Sequence, residues 1–409
     1  MNQTEQREYV RDLARQVAEI AGTERNQAAI RRWRDVNALR KPDRAPVWCK
    51  PVGCWGELLP EESLLCQERY PRDIEREFRR ALIKRDIGDD TPVEGLYEVP
   101  AALEVEPANR FGVEIRRIRP GQPGGAWHFD PPLRTPADFD KLTLPRFTHN
   151  RAKTDEAMNR AGDLLGDILP VRLVCPPPFG VGCGTIGDRA AELRGMTEMM
   201  MDMAAEPALM HRLMAYLRDA VLASLDQVEG MGLLTPNNTG PMYCADPIDG
   251  AAPISEPATC RDLWCHANSQ EFDPVSPAMW EEFLLNYQKP ILARFGLAHY
   301  GCCEDLTRKI AGVLSIPNLR IFVCSAWSNL DKIIEACGGR YVIMWRQKAT
   351  DVVFPDDTAG IRKHLAEGAR KLQGLRYQIV LRELQTLAGH ADRLHAWTRL
   401  AIEAAEEYS

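Results

Sequence analysis

Short apolar runs alternate with longer amphipathic stretches through most of this 409-residue chain, and the two rhythms predict different elements. From about residue 155 onward, LPVRLVC (169–175), GLLTP (232–236), GLAHYGC (296–302), LRIFVCS (319–325), RYVIMW (340–345) and RYQIVLRE (376–383) are rich in β-branched residues and bounded by turn residues, as strands are. The segments between them carry helical periodicity. Leu209, Leu213, Leu217, Val221, Leu225 and Val228 fall on one stripe, and Ser276 before Pro277 reads as an N-cap with a first-turn proline, opening a helix expected to stop at Gly296. Strands alternating with helices over this length predict an α/β fold with a parallel sheet, either open and doubly wound or closed as a TIM (β/α)8 barrel. The barrel is favoured, because the glycines of GVGCGTIG (180–187) lack the lysine and the downstream acid of a nucleotide-binding loop and read as a turn.

The N-terminal part has a different pattern. Residues 1–90 are charged and helical near 5–20, 24–40 and 72–86, interrupted by APVWCKPVGCWGELLP, and are expected to form a helical cap on a barrel spanning 91–409. Within the barrel segment, LEVEPANRFGVEIRRIR alternates apolar and polar positions on either side of PANRFG, which predicts a β-hairpin excursion at about 101–120, followed by the loop RPGQPGG.

Composition narrows the class of function. A hydrophobic content of 45% and a charged content of 27% describe a globular chain, and the net charge of −7 gives no electrostatic reason to bind nucleic acid. The longest apolar runs fall short of a bilayer crossing, and MNQTEQREYVRDLARQVAEIA is a charged amphipathic helix without a signal-peptide core, so a cytoplasmic location and no membrane association are expected. Twelve cysteines in a reducing compartment stay thiols, most of them serving as small core residues.

In a barrel the active site lies at the C-terminal strand ends, which turns those ends into a shortlist. Cys175, Asn237 and Asn238, Cys302 to Glu304, Ser325 to Trp327, Arg346 and Lys348, and Glu383 occupy them. HYGCCEDL (299–306) is the densest: His299, Cys302, Cys303 and Glu304 offer the thiolate, imidazole and carboxylate donors that zinc takes, and a catalytic zinc needs only three. Strand alternation sets His299 and Cys303 on one side and Cys302 and Glu304 on the other, so one local pair plus a ligand from another strand is the expected arrangement. A bare nucleophilic cysteine and ordinary core packing are the competing readings.

Several segments together resemble one superfamily. KLTLPRF (141–147), AELRGMTEMMMDMAAEPALMHRLM (191–214), GLLTPNN (232–238), SQEFDPVSPAMWEEFLLNYQKPILARFG (269–296), HYGCCEDL and VCSAWSNLDKIIEACGGRYVIMWRQKATDVV (323–353) are similar to the uroporphyrinogen decarboxylase-like barrels, in the branch of corrinoid-dependent methyltransferases that includes methylcobamide:coenzyme M enzymes and methyl-ether demethylases. The resemblance runs from about residue 45 to the C-terminus. It implies methyl transfer between a small methylated substrate (ether, amine or thiol) and a corrinoid (cobalamin) carried by a partner protein, on a barrel that often binds zinc and commonly pairs as a homodimer.

The chain departs from the family pattern at two points. Tyr300 stands where the zinc-binding histidine of the coenzyme M enzymes falls, and Glu383 stands near their downstream cysteine, so the ligand set implied here is Cys302, Cys303 or Glu304 with Glu383, and His299 in reserve. True decarboxylases resemble it less, since RAPVWCKPVGCWGELL (44–59) keeps only Lys50 as a cation after Trp48. Methyl transfer from an ether or amine needs the leaving heteroatom protonated or polarised, which makes Glu271, Asp246 and Glu304 the candidate proton donors. Trp48, Lys50, His128, Asn237, Trp327 and Lys348 are the candidate substrate-binding residues; His128 and His266 are placed in loops bordering the mouth. A cofactor-free decarboxylase or lyase on the same barrel, and a catalytically silent binding protein, are the alternatives.

Overall fold

The computed structural model describes residues 1–118, 128–248, 257–355 and 357–409. Its strands in chain order are β1 (Val47–Cys49), β2 (Tyr97–Pro100), β3 (Leu103–Glu106), β4 (Arg116–Ile118), β5 (His128–Asp130), β6 (Arg146–His149), β7 (Val171–Val174), β8 (Trp264–Ala267), β9 (Leu297–Tyr300), β10 (Leu319–Cys324), β11 (Val342–Gln347) and β12 (Tyr377–Leu381). Six of them form one parallel sheet in the order β1-β12-β11-β10-β9-β8, and β2 and β7 form a separate parallel pair. The protein is thus a mixed α/β fold with its longest helices between or around parallel strands.

Period-two alternation divides the large sheet between two cores. Trp48, Trp264, Ile321, Val323, Val342, Met344 and Val380 pack together on one face with Ile30, Trp33 and Val36 of the helix Glu24–Asn37. The intervening residues, among them Phe322, Cys324, Ile343, Trp345, Ile379 and Leu381, join the helices on the other face. Both faces being covered, β11 and β12 are buried at every position, which is why their sequences read as continuous apolar runs. The helix Glu24–Asn37 closes the N-terminal end of the first face: Asn37 donates to the Met242 and Cys244 carbonyls and accepts from Gln378 near the start of β12.

The helices expected in the first 90 residues appear as Gln3–Gly22, Glu24–Asn37 and Arg69–Ile87, but this part of the chain also supplies β1 to the main sheet. All expected strands are present except 232–236, which runs as coil. That segment still spans the gap between β7 and β8: Thr235 N–H donates to the Cys175 carbonyl, and the Asn237 side chain both accepts from Trp264 N–H and donates to its carbonyl. Asn237 thereby stands in for a neighbouring strand. The helical stripe is confirmed in Pro207–Gly230, where Leu213, Leu217, Val221, Leu225 and Val228 are buried. Ser276 caps the helix that begins at Pro277, and helical structure ends at Leu292, short of Gly296.

The hairpin expectation is corrected. The strands flanking PANRFG do not pair with each other: β3 pairs antiparallel with β6, and β4 with β5. The RPGQPGG loop (119–125) lies outside the described residues. Among the described residues, no helix is long and apolar enough to cross a membrane.

Candidate functional site

The strand β9 ends at Tyr300, and the chain then turns at Gly301, whose φ of 112° is one that side-chain-bearing residues rarely adopt. A Cβ there would stand 2.8 Å from both Leu306 Cδ1 and Val323 Cβ, so glycine is required for space as well. The turn breaks strand alternation and sets both following cysteines on the same cluster. Cys302 Sγ lies 3.5 Å from Cys303 Sγ, and Cys303 Sγ lies 3.2 Å from Glu383 Oε1, just beyond β12. Glu383 also has a left-handed backbone, φ 62°, uncommon for a residue with a side chain and found at sites where orientation matters more than local ease. Among the described residues, Cys302, Cys303 and Glu383 are the one group of at least three potential ligands whose donor atoms lie within 4.8 Å of one another.

Three cations surround this group. Arg346 Nη1 donates to Glu383 Oε1 at 3.0 Å and lies 3.6 Å from Cys302 Sγ, while Arg382 Nη1 lies 3.9 Å from the same sulfur. Lys50 follows β1 and keeps the ladder going, its N–H donating to the Leu381 carbonyl. Trp48, Val380 and Arg346 are register partners on one sheet face, and Lys50 and Arg382 come two residues after the first two, so the interior face turns from apolar to cationic at its C-terminal end. Burial pushes the Lys50 ammonium down, with Arg382 and Arg346 pushing the same way against Cys302 and Glu383.

The two thiols share one proton unequally. The hydrogen bond from Cys303 lowers Cys302 to about 6, against burial and with help from Arg346 and Arg382; Cys303 is pushed up by its bond to Cys302, by burial and by Glu383. Near neutral pH Cys302 is the thiolate and Cys303 the thiol. The remaining described cysteines are buried and inert by comparison.

Other expected site residues fall elsewhere. Glu304, 2% exposed, is no part of the donor cluster: it accepts from Ser269 N (2.7 Å), Ser269 Oγ (3.2 Å) and Cys302 N (2.9 Å), tying the turn to the end of β8. His299 is buried inside the sheet face, its Nδ1 2.8 Å from Tyr243 Oη and its ring stacked on His266 at 4.5 Å, also outside the cluster. Burial lowers both imidazoles, His266 to about 3, and holds them neutral. His266 belongs to β8 and His128 to β5, so neither lies in a loop.

Glu271 lines a cleft of ≈ 590 Å³ with His128, Asp188 and Glu192; the thiols are not among its lining residues. Burial, followed by the neighbouring Asp188, pushes the Glu271 carboxyl up to about 9. Asp246 pairs with Arg40 at 2.6 Å at the surface. Trp48 is core, with Lys50 Nζ 5.9 Å from its ring centroid; Asn237 braces β8; Trp327 is 57% exposed; Lys348 lines a second cleft with His364 and Trp397. Within GVGCGTIG, Gly184 serves close packing, its N–H donating to the His266 carbonyl where a Cβ would meet Ala267 Cβ at 2.7 Å, while Gly180 takes a positive φ of 68° with open space around it.

Sequence reasoning left Arg382 out of the site and put Arg346 only among the strand ends. Both were signalled by a shared pattern, since WCK, MWR and VLR each set a cation two positions after a residue of the interior face.

Two soft sulfurs and one carboxylate oxygen match the donor number and type of an open zinc site, with Arg346 as the outer partner that orients Glu383. Compared with protein-family models and with curated proteins, the chain matches none.

Proposed function

We propose that this chain is a methyltransferase of the uroporphyrinogen decarboxylase-like barrel class, moving a methyl group between a small methylated substrate and the corrinoid of a partner protein. The observation that carries the reading is the meeting of Cys302, Cys303 and Glu383 from separate strand ends in a shielded, cation-lined position. In this reading the six-stranded sheet, segment 232–238 and the β7·β2 pair are parts of one closed barrel; the bonds of Thr235 and Asn237 support continuity on one side.

Cys302, Cys303 and Glu383 would hold a zinc-type ion, and Cys303 gives up its proton when the set is loaded. When bound, such an ion polarises the heteroatom that carries the methyl group, or keeps a thiol acceptor as thiolate. Arg346 fixes Glu383 and balances the negative charge of the set. Glu271 keeps its proton at neutral pH and comes two residues after Ser269, which is tied to the thiol turn through Glu304; it is the residue we assign to protonating the leaving heteroatom.

Metal analysis of protein purified without chelator, followed by methyl-transfer assays with a cobalamin acceptor and a panel of methoxylated aromatics and methylamines, tests the proposal. Zinc near one equivalent, lost in Cys303→Ala and Glu383→Ala, together with methylcobalamin formation, is the expected result. Full metal content in both variants, or no transfer to cobalamin with any donor, would overturn it.

A further inference from the structure

The charges around the thiols do not close on themselves. Arg346 is 1% exposed, and its Nη1 serves Glu383 and Cys302, yet its Nε and Nη2 have no hydrogen-bond partner. Those two groups form one edge of the guanidinium, a two-donor fork with the spacing of a carboxylate's oxygens. Leaving a buried charged donor unsatisfied is costly, and native structures seldom do it without a reason. Two further cations belong to the same cluster: Arg382 Nη1 lies 3.9 Å from Cys302 Sγ, and Lys50 is close enough to feel both Arg346 and Arg382. Among the described residues, neither Arg382 nor Lys50 has a carboxylate within 4.0 Å, and both are only partly buried. Three positive groups from three adjacent strands therefore face the one carboxylate of Glu383, and the unpaired Arg346 edge points to a missing anion.

The geometry points to an anion site made by Arg346, Arg382 and Lys50, so that the small molecule processed beside Cys302 carries a carboxylate. Arg346 supplies the desolvated fork, and the part-exposed Arg382 and Lys50 supply the approach. The inference deepens the methyl-transfer reading by naming the charge of the substrate, and it rests on that reading only for what happens to the molecule after it is bound. A neutral methyl ether or a simple methylamine would leave the Arg346 edge unpaired; a methylated compound with a carboxylate at one end would pair it and hold the other end over the thiols.

Alkylation of Cys302 tests the site without relying on activity. Iodoacetate and iodoacetamide react alike: the thiolate sulfur forms a bond to the methylene carbon, the carbon–iodine bond breaks, and iodide leaves with the electron pair. They differ only in the carboxylate. The rates at Cys302, followed by peptide mass spectrometry at neutral pH on the full chain after chelator has removed any bound metal, are compared with those of glutathione. The expected ratio of iodoacetate to iodoacetamide rates is on the order of tenfold above that of glutathione. Iodoacetate labelling should saturate with concentration, and sodium acetate should slow it more than sodium chloride at equal ionic strength. Arg382→Gln and Lys50→Gln should each bring the ratio most of the way back; dividing by each variant's own iodoacetamide rate removes any change in thiolate content, and an unchanged urea midpoint shows that the fold persists.

A ratio equal to that of glutathione overturns the inference, as does a raised ratio that neither variant lowers. Because the measurement is made without zinc or a corrinoid, an ordinary ratio in a preparation that contained zinc and transferred methyl groups before chelation defeats the anion site alone. A raised ratio in protein without zinc or transfer defeats the methyltransferase reading alone.

Discussion

Glu304 separates a ligand role from a bracing role, and its replacement by glutamine distinguishes the two. The native carboxylate accepts three hydrogen bonds in a nearly closed site, from Ser269 N, Ser269 Oγ and Cys302 N. Bonds to a charged group contribute about 1.5–3 kcal/mol each, and an unpaired buried N–H costs about 1–3 kcal/mol. Glutamine has one carbonyl oxygen and one amide nitrogen. With its oxygen toward Ser269, its NH2 faces the Cys302 N–H, so one bond is lost, one donor is left unpaired and the others lose their charge. The gain from no longer burying an ion offsets part of this, giving a net loss of about 2–4 kcal/mol. Urea unfolding should show a lower midpoint with an unchanged slope, while folded protein keeps its metal. A ligand role gives the opposite result: an unfolding midpoint within about 0.5 kcal/mol of the parent and metal lost from folded protein would refute the bracing argument.

Three further outcomes are expected. Gly301→Ala should destabilise by about 1–3 kcal/mol and slow Cys302 alkylation by misplacing the turn, since the added methyl meets Leu306 and Val323 in a strained backbone; wild-type stability and reactivity would contradict the argument. His266 and His299 are lowered in the folded state, so the unfolded chain binds the extra protons, and stability should fall as pH drops below about 6.5, for His266 down to about 3 and for His299 in the same direction, by up to about 1.4 kcal/mol per pH unit for each ring. His266→Gln should flatten that slope in urea titrations across pH, and an unchanged slope would count against neutral burial. Glu271 is raised, so its carboxyl costs stability as pH rises from about 4.5 to 9; Glu271→Gln should stabilise at pH 8 relative to pH 4.5 and abolish methyl transfer, and an active variant would remove Glu271 from the chemistry.

The central strands were legible because burial on both faces leaves a run that is apolar throughout, as in VIMW and YQIVL. β1 and β8 were not, because VWC and WCHA are short and carry Cys, Trp and His, which say little about extended structure. GLLTP has strand composition, yet the ladder beside it is completed by the Asn237 side chain, a substitution that composition does not reveal. Alternation on either side of PANRFG gave strands at β3 and β4 but not their partners, since register with residues 146–149 is set by tertiary packing. Thiols and acids at strand ends marked Cys302, Cys303 and Glu383. The separation of Glu304 from them followed from the Gly301 turn, whose positive φ cancels the alternation on which sidedness was argued.

The distance in sequence between Cys303 and Glu383 bears on the protein's birth as well as its working life. The two residues are 80 positions apart, and β10, β11 and β12 must all dock before they meet. A nascent chain halted before its last strand exposes two ordinary cysteines with no carboxylate opposite them and no guanidinium from Arg382. The three-residue donor set therefore comes together only once β12 has docked, which makes its assembly a late event in folding.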